Sequence, residues 1–403
     1  MSALGQTLIA PPPPDVLFYP FADGGLLFRE GRRRVWVLNP ASAYVWCALD
    51  RAVDAADLSR RYARAFSVGR ARALDDVAGA LAGFRREGLL GETMAADPAA
   101  ENGSWDLEVD GPPLGSRAKE NWPFRRSFRL ASHALELCCQ DRSLGHAFGV
   151  IMEHLRVDCG EHPDTRLAVV AGALERTWDI YVDGRGWVAG VSPEGVLPYL
   201  VTLTFVRFSE ALKDRLLFHA AVLDKKGRTV VLPGEAGSGK TTLAAALVAR
   251  SGFSFYSDEL AVVDVATLTV IPFPLPMSIK PGSLPVLARD YPGLSAVSVH
   301  PRSDGKEVRY LLLPRESLPS AGTAGKVHCI VFPSYLAGVT GRLNLLEKGH
   351  AMQRLVRTGS SNRDMTGADV RAMIALVEKV PCYELVFSEL GDALEGVEKL
   401  VIG

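Results

Sequence analysis

Gly234-Glu-Ala-Gly-Ser-Gly-Lys240-Thr241 is the stretch on which the reading of this chain turns. It fits G-x-x-x-x-G-K-[ST], the pattern of a phosphate-cradling P-loop. Before it, Thr229-Val-Val-Leu232 reads as a short buried strand; after it, Thr242-Leu-Ala-Ala-Ala-Leu-Val-Ala249 is built of helix formers. Glycines let backbone N–H groups turn inward on phosphate oxygens. The helix N-terminus adds its positive dipole end. Lys240 can then reach the β- and γ-phosphates, and Thr241 can ligate Mg²⁺. The expectation is a nucleoside triphosphate site for ATP and Mg²⁺, held by Gly234, Glu235, Ala236, Gly237, Ser238, Gly239, Lys240, Thr241 and Thr242. The plain alternative is a glycine-rich turn that matches by coincidence.

Outward from the loop, the bulk of the chain narrows the class. Its 403 residues suggest two or three domains, and 48% hydrophobic content is ample for packed cores. A net charge of −1 gives no global pull toward nucleic acid or a membrane surface, so neither is an expected partner. No apolar run approaches the ~20 residues that span a bilayer. The N-terminus lacks a basic segment followed by an apolar one, so the expected location is the cytoplasm. Cysteines 47, 138, 139, 159, 329 and 382 show no metal-type spacing. Buried free thiols are expected of them, with a metal or disulfide role as the alternative.

Along the chain, residues 1–14 end in Pro11-Pro-Pro-Pro14 and read as a stiff, extended arm. Residues 15–92 form a small module. Val16–Tyr19 and Leu26–Arg29 are strand-like across the turn signal Asp23-Gly24-Gly25, and Arg34–Leu38 is a third strand. Asn39-Pro40 then caps a helix. A second helix starts near Asp54 or Asp57, and a third runs from about Arg70 to Gly88, giving a β-β-β-α-α-α order. Residues 93–122 are a linker by composition. Residues 123–215 read as an α/β scaffold, with strands at Phe128–Ala131 and Thr177–Val182 and helices at Leu144–Leu155 and Val196–Leu217. Residues 216–403 hold the P-loop core.

A phosphotransferase needs carboxylates beside the cradle, for Mg²⁺ and for the attacking hydroxyl. The strand after the P-loop helix, Phe253–Tyr256, ends in Ser257-Asp258-Glu259, where strand ends face a ligand crevice. Asp258 and Glu259 are the candidate acids, with a solvated acidic turn as the alternative. Asp264, on a further strand from Leu260 to Val265, reads as structural. His219 sits among apolar residues before the P-loop strand, and alone it reads as a core histidine. Lys280 lies in a proline-stiffened loop, where it is either a cation on the transferring phosphoryl group or a surface lysine. Arg302, Arg309 and Arg315 read mainly as a solvated face.

These residues resemble the HPr serine kinase family and the HPr-kinase-related peptide kinases. The resemblance rests on His219-Ala220, Gly234 to Thr241 and Ser257-Asp258-Glu259, with the His219-to-Asp258 spacing as its specific part. It covers roughly residues 205–400 and implies a PEP carboxykinase/HPr kinase-like α/β core. It also implies His219, Lys240, Asp258, Glu259 and Lys280 as catalytic residues and Thr241 and Asp258 as metal ligands. Glu259 stands at the place of the family's proton acceptor, one methylene longer than the usual Asp. The family's Glu-Ile-Arg-Gly-Leu-Gly signature is absent, which counts against phosphorolysis and against HPr itself as substrate. The family tends to form oligomers, so a homo-oligomer stays open.

The N-terminal module is similar to the PqqD-like peptide chaperones, or RiPP recognition elements, through Val35-Trp-Val-Leu-Asn-Pro-Ala-Ser-Ala-Tyr-Val-Trp46. That resemblance implies a leader peptide added as an extra strand along Arg34, Val35, Trp36, Val37 and Leu38, beside the helix Arg70–Glu87. An edge strand is a physical template for such β-augmentation. A winged-helix-like module that only docks onto the kinase is the alternative. Together the readings describe an ATP- and Mg²⁺-dependent kinase for a Ser or Thr hydroxyl of a ribosomally made precursor peptide. Two others stay open: a kinase for an HPr-like protein or small metabolite with a regulatory N-terminal domain, and a non-catalytic, nucleotide-gated peptide-binding protein.

Overall fold

The computed structural model describes residues 8–21, 24–29, 35–90, 111–115, 122–158, 162–212, 214–320, 322–358 and 365–402. Expectations on Asp23, Arg34, Cys159 and most of the linker fall outside them. The fold is mixed α/β with several sheets. The chain divides into two compact units, one of residues 1–103, 345–357 and 363–382, the other of residues 104–344, 358–362 and 383–403.

The first unit is built on a three-stranded antiparallel sheet in the order Val16–Phe21, Gly24–Arg29, Val35–Leu38. Three helices follow: Pro40–Cys47, Ala55–Phe66 and Arg70–Arg86. Their starts were legible locally. The Asn39 side chain accepts from the Ser42 N–H with Pro40 in the first turn, and Asp54 accepts from the Ala56 and Asp57 N–H groups. The end of the proline arm is pinned, because Leu8–Ile9 pairs with Val53–Asp54 and Ile9 is buried.

The two faces of this sheet are covered differently. Leu27 faces the three helices and joins their core with Val45, Leu58, Leu81 and Phe84. Strand alternation turns Leu26 and Phe28 to the other face, and both are fully buried. That face meets a segment from far along the chain: helix Lys348–Arg357 packs against strands Gly24–Arg29 and Val35–Leu38. A Cβ on Gly349 would lie 2.8 Å from Val37 Cγ1, so the helix approaches the edge strand at van der Waals contact. The Tyr19 hydroxyl donates to Gly367 O at 3.3 Å, at the start of helix Gly367–Lys379. The Leu346 N–H donates to Cys382 O at 2.8 Å, closing the base of this two-helix excursion.

The second unit carries two larger sheets. One runs Arg185–Val191, Trp178–Val182, Thr165–Ala171, His133–Cys139, Phe124–Leu130, Arg156–Val157. Its inner face packs on helices Arg142–Ile151 and Pro193–Glu210 around Phe128, Phe148, Leu200 and Phe208. Two expected helices are corrected here. The first ends at Ile151, and a single 3₁₀ turn covers Glu153–Leu155. The second begins at Pro193 and stops at Glu210; Leu216–Phe218 is instead a strand paired with Ala261–Val263. A run of apolar residues fits either element, and here cross-strand pairing decides it. Within the expected linker, the Gly111 N–H donates to Gly186 O on the edge strand and the Leu114 N–H to Gly184 O in the turn before it.

The other sheet positions the candidate site. Its path is Leu216–Phe218, Ala261–Asp264, Thr269–Ile271, Gly325–Tyr335, Arg228–Pro233, Ala220–Lys225, Ser254–Ser257, and strands Cys382–Phe387 and Arg342–Leu345 extend it beside Gly325–Tyr335. Strand Arg228–Pro233 is buried nearly throughout and runs parallel to Gly325–Tyr335. Helix Lys240–Ser251 packs its Leu243, Ala244 and Leu247 on this sheet. Cys138, Cys139, Cys329 and Cys382 are buried thiols outside any disulfide, as expected, but Cys47 is exposed at the end of its helix. Among the described residues no helix is long and apolar enough to cross a membrane.

Candidate functional site

Strand register brings three distant segments to one edge of the large sheet. Ala220 pairs with Pro233, so His219 and Gly234 lie opposite each other just past the ladder. Val222 pairs with Ser257 on its other side, so Asp258 and Glu259 emerge at the same edge. The acids therefore stand one strand removed from the loop, with Ala220–Lys225 between.

The loop needs its glycines. Gly237 and Gly239 both sit at φ 89°, a left-handed conformation that a side chain would strain. A Cβ on Gly234 would come within 2.6 Å of Ser238 Oγ. The helix opens at Lys240, leaving its first N–H groups without intrahelical partners. Lys240 is only 6% exposed, and its Nζ donates to Gly234 O at 2.7 Å, curling over the loop. Burial pushes its pKa down, opposed by the charges of Asp258 and Glu259. Ser238 Oγ is buried with no hydrogen-bond partner. The Thr242 Oγ1 lies 2.7 Å from Ser283 Oγ.

Asp258 is the unusual group. It is 3% exposed, and neither carboxylate oxygen has a hydrogen-bond partner of normal geometry. Thr241 is still near enough for its hydroxyl to favour the charged form. Burial and then the Glu259 charge drive the Asp258 pKa up, against Thr241, Lys240 and Lys280. Burying an ionised carboxylate is costly enough that such a group tends to take up a proton unless it is paired, and a buried carboxylate so poorly satisfied asks for a ligand.

His219 is held at both ends. Its N–H donates to Thr358 O at 2.7 Å, and its Nδ1 lies 2.9 Å from Glu259 O. A carbonyl only accepts, so Nδ1 carries the proton and Nε2 keeps its lone pair. Burial lowers the imidazole pKa, with Glu259 opposing. The 3.4 Å approach of Nδ1 to Glu259 Oε2 is therefore no full ion pair near pH 7. Lys280 is exposed at the end of strand Met277–Ile279, and its charge is felt by His219, Lys240 and Asp258. The structure thus gathers His219, Lys240, Thr241, Asp258, Glu259 and Lys280. Asp264 lies apart, ion-paired with Arg215 and capping the Ala266 and Thr267 N–H groups. Arg302 pairs with Asp304, and Arg309 donates to Val297 O. Ser283 and Thr358 were not foreseen; a serine and a threonine without a motif carry no signal in sequence.

Thr241 and Asp258 could hold Mg²⁺. That ion beside a nucleotide takes one or two protein oxygens and completes its octahedron from water and phosphate. Among the described residues no cluster of three or more His, Cys, Asp or Glu side chains stands ready for a metal. The pair fits a cation that arrives with a phosphate.

In the first unit, strand Val35–Leu38 lies at the sheet's edge and pairs with Gly24–Arg29. The Trp36 Nε1–H donates to Glu87 Oε2 at 2.9 Å, tying this edge to the end of helix Arg70–Arg86. Residues 24–90 match the PqqD family, described as coenzyme PQQ synthesis protein D. The match spans the sheet's last two strands and all three helices. No curated protein matches the chain at a significant level. Among solved structures, the Hpr(Ser) kinase/phosphatase from Coxiella burnetii aligns over 46% of this chain and 97% of its own, at 13% identity and a TM-score of 0.22.

Proposed function

We propose that the chain is an ATP- and Mg²⁺-dependent kinase acting on a Ser or Thr hydroxyl of a ribosomally made precursor peptide, with the PqqD-like segment holding the leader. The observation that carries the catalytic half is Asp258: a buried carboxylate with no hydrogen bond of normal geometry, its charge favoured only by the nearby Thr241 hydroxyl and the Lys240 and Lys280 cations. In the free chain that charge meets Lys240, Lys280 and the Thr241 hydroxyl against a larger burial penalty, whereas a metal–phosphate complex would be held by it.

In this reading Gly234–Thr241 is a P-loop, in a core of the HPr kinase-like kind. Its N–H groups and Lys240 would hold the β- and γ-phosphates, and Thr241 and Asp258 would hold Mg²⁺, which would supply neutralisation of phosphate charge. Glu259 accepts the proton of the attacking hydroxyl as its oxygen bonds to the γ-phosphorus, and ADP leaves with the bridging oxygen. His219, through its bond to Glu259 O, fixes the turn that presents that carboxylate. Lys280 faces the charge on the transferring group. The leader adds a strand along Val35–Leu38.

The test is an intact-mass assay with ATP, Mg²⁺ and a precursor peptide encoded beside this chain. One added phosphate on a Ser or Thr is expected, and chelation of Mg²⁺ should stop it. Tight ATP binding with no transfer to any peptide would overturn the kinase reading.

A further inference from the structure

Tyr335 stands on the far side of the glycine loop and plays no part in the phosphate chemistry. Strand Gly325–Tyr335 ends beside the loop, and the Tyr335 N–H donates to Ser238 O at 3.2 Å. A Cβ on Gly239 would lie 3.0 Å from Phe387 Cζ and 3.5 Å from Tyr335 Cβ. The two rings meet edge to face with centroids 5.9 Å apart. Phe387 is buried at 3%, yet Tyr335 is 51% exposed and Leu336, next to it, 48%. One ring is the support; the other presents an open aromatic surface against the loop.

Strand order says what belongs there. Arg228–Pro233 has Gly325–Tyr335 on one side, and Ala220–Lys225 then Ser254–Ser257 on the other. Asp258 and Glu259 therefore flank the loop on one side and Tyr335 on the opposite side. A triphosphate whose terminal phosphate faces the acids runs its α-phosphate and nucleoside away from them. We propose that Tyr335, backed by Phe387 and bordered by Leu336, is the platform on which the base of the bound nucleotide stacks. The inference rests on the reading of the loop as a triphosphate cradle. Stacking uses the π-face of a base rather than its hydrogen-bonding edge, so the platform recognises that a base is present more than which purine it is.

The test is calorimetric titration of the full chain with Mg-ATP and, separately, with Mg-tripolyphosphate, which has no base. Tyr335→Leu keeps an apolar contact on Phe387 and removes the aromatic face; Tyr335→Phe keeps both. The Leu variant should bind ATP about tenfold more weakly and tripolyphosphate unchanged, with the Phe variant like the parent. Unchanged ATP affinity in the Leu variant would overturn the platform, and so would equal weakening toward both ligands, which would make Tyr335 a mere brace for the loop. If the parent protein binds neither ligand, the cradle reading falls and the platform with it. If it binds both and only the Tyr335 effect is missing, the cradle stands alone.

Discussion

In the Gly234–Thr241 loop, eight consecutive residues carry their own geometry; at the edge strand Val35–Leu38, four residues lean on a helix that begins at Lys348. The loop's glycines, lysine and helix start would adopt much the same shape in any sheet that supplied the preceding strand. The edge strand has an inner face filled by its own module and an outer face covered by Lys348–Arg357. A phosphate site needs converging backbone N–H groups, which a few residues can arrange. A strand able to accept another strand needs an unpaired edge on a stiff sheet, and stiffness requires packing on both faces. Damage to the first should therefore be local and severe, and damage to the second graded.

Lys240→Ala tests the severe end. Phosphate transfer should fall at least ~1,000-fold, as expected when a positioned charge is lost from a phosphoryl-transfer site, while leader affinity measured by fluorescence anisotropy stays put. Retained transfer would place the chemistry elsewhere.

Asp258→Asn follows. Turnover should drop on the order of 100-fold or more, yet the nucleotide-free protein should melt at a higher temperature. Burial opposes its charge more strongly than Thr241, Lys240 and Lys280 favour it, so removing the charge relieves a desolvation cost. A lower melting temperature in the variant would mean that Asp258 is satisfied structurally and is not held in reserve for a ligand.

How much of this was legible beforehand follows the same divide. Asn39-Pro40, Asp54 and the run to Gly88 announced the first unit's helices because capping is local. The loop and the Asp258-Glu259 pair were readable from a strand–glycine–helix pattern and the next strand's end. Their meeting with His219 was implied only by family resemblance; the structure supplies the reason, in the Ala220–Pro233 and Val222–Ser257 pairings. Tyr335 was invisible because its place depends on which strand runs beside which, and a single sequence does not state strand order. Helix Lys348–Arg357 reads as an ordinary amphipathic helix, and nothing in its residues tells it which of two sheets to cover.

A milder change uses the substrate and leaves the protein alone. If the leader docks on the first unit, the full precursor reaches the site at an effective concentration near millimolar. Removing the leader should then raise KM by roughly 100-fold with kcat little altered. Equal KM for the full and leaderless peptides would mean that the PqqD-like segment serves another purpose.

The smallest expected effect probes the edge strand's outer support. Gly349→Ala places a methyl group 2.8 Å from Val37 Cγ1. Valine is stiff at χ1 and cannot swing clear without moving its strand. Helix propensity alone favours alanine by up to about 1 kcal/mol, whereas overpacking costs about 1–3 kcal/mol. A net loss of up to about 2 kcal/mol is expected, with leader affinity down a few-fold and phosphate transfer to a leaderless peptide intact. A variant as stable as the parent, with unchanged leader binding, would mean that the strand yields freely to the helix. The sheet would then owe its stiffness to its inner face alone, and the contrast with the self-contained loop would shrink to one of sequence distance.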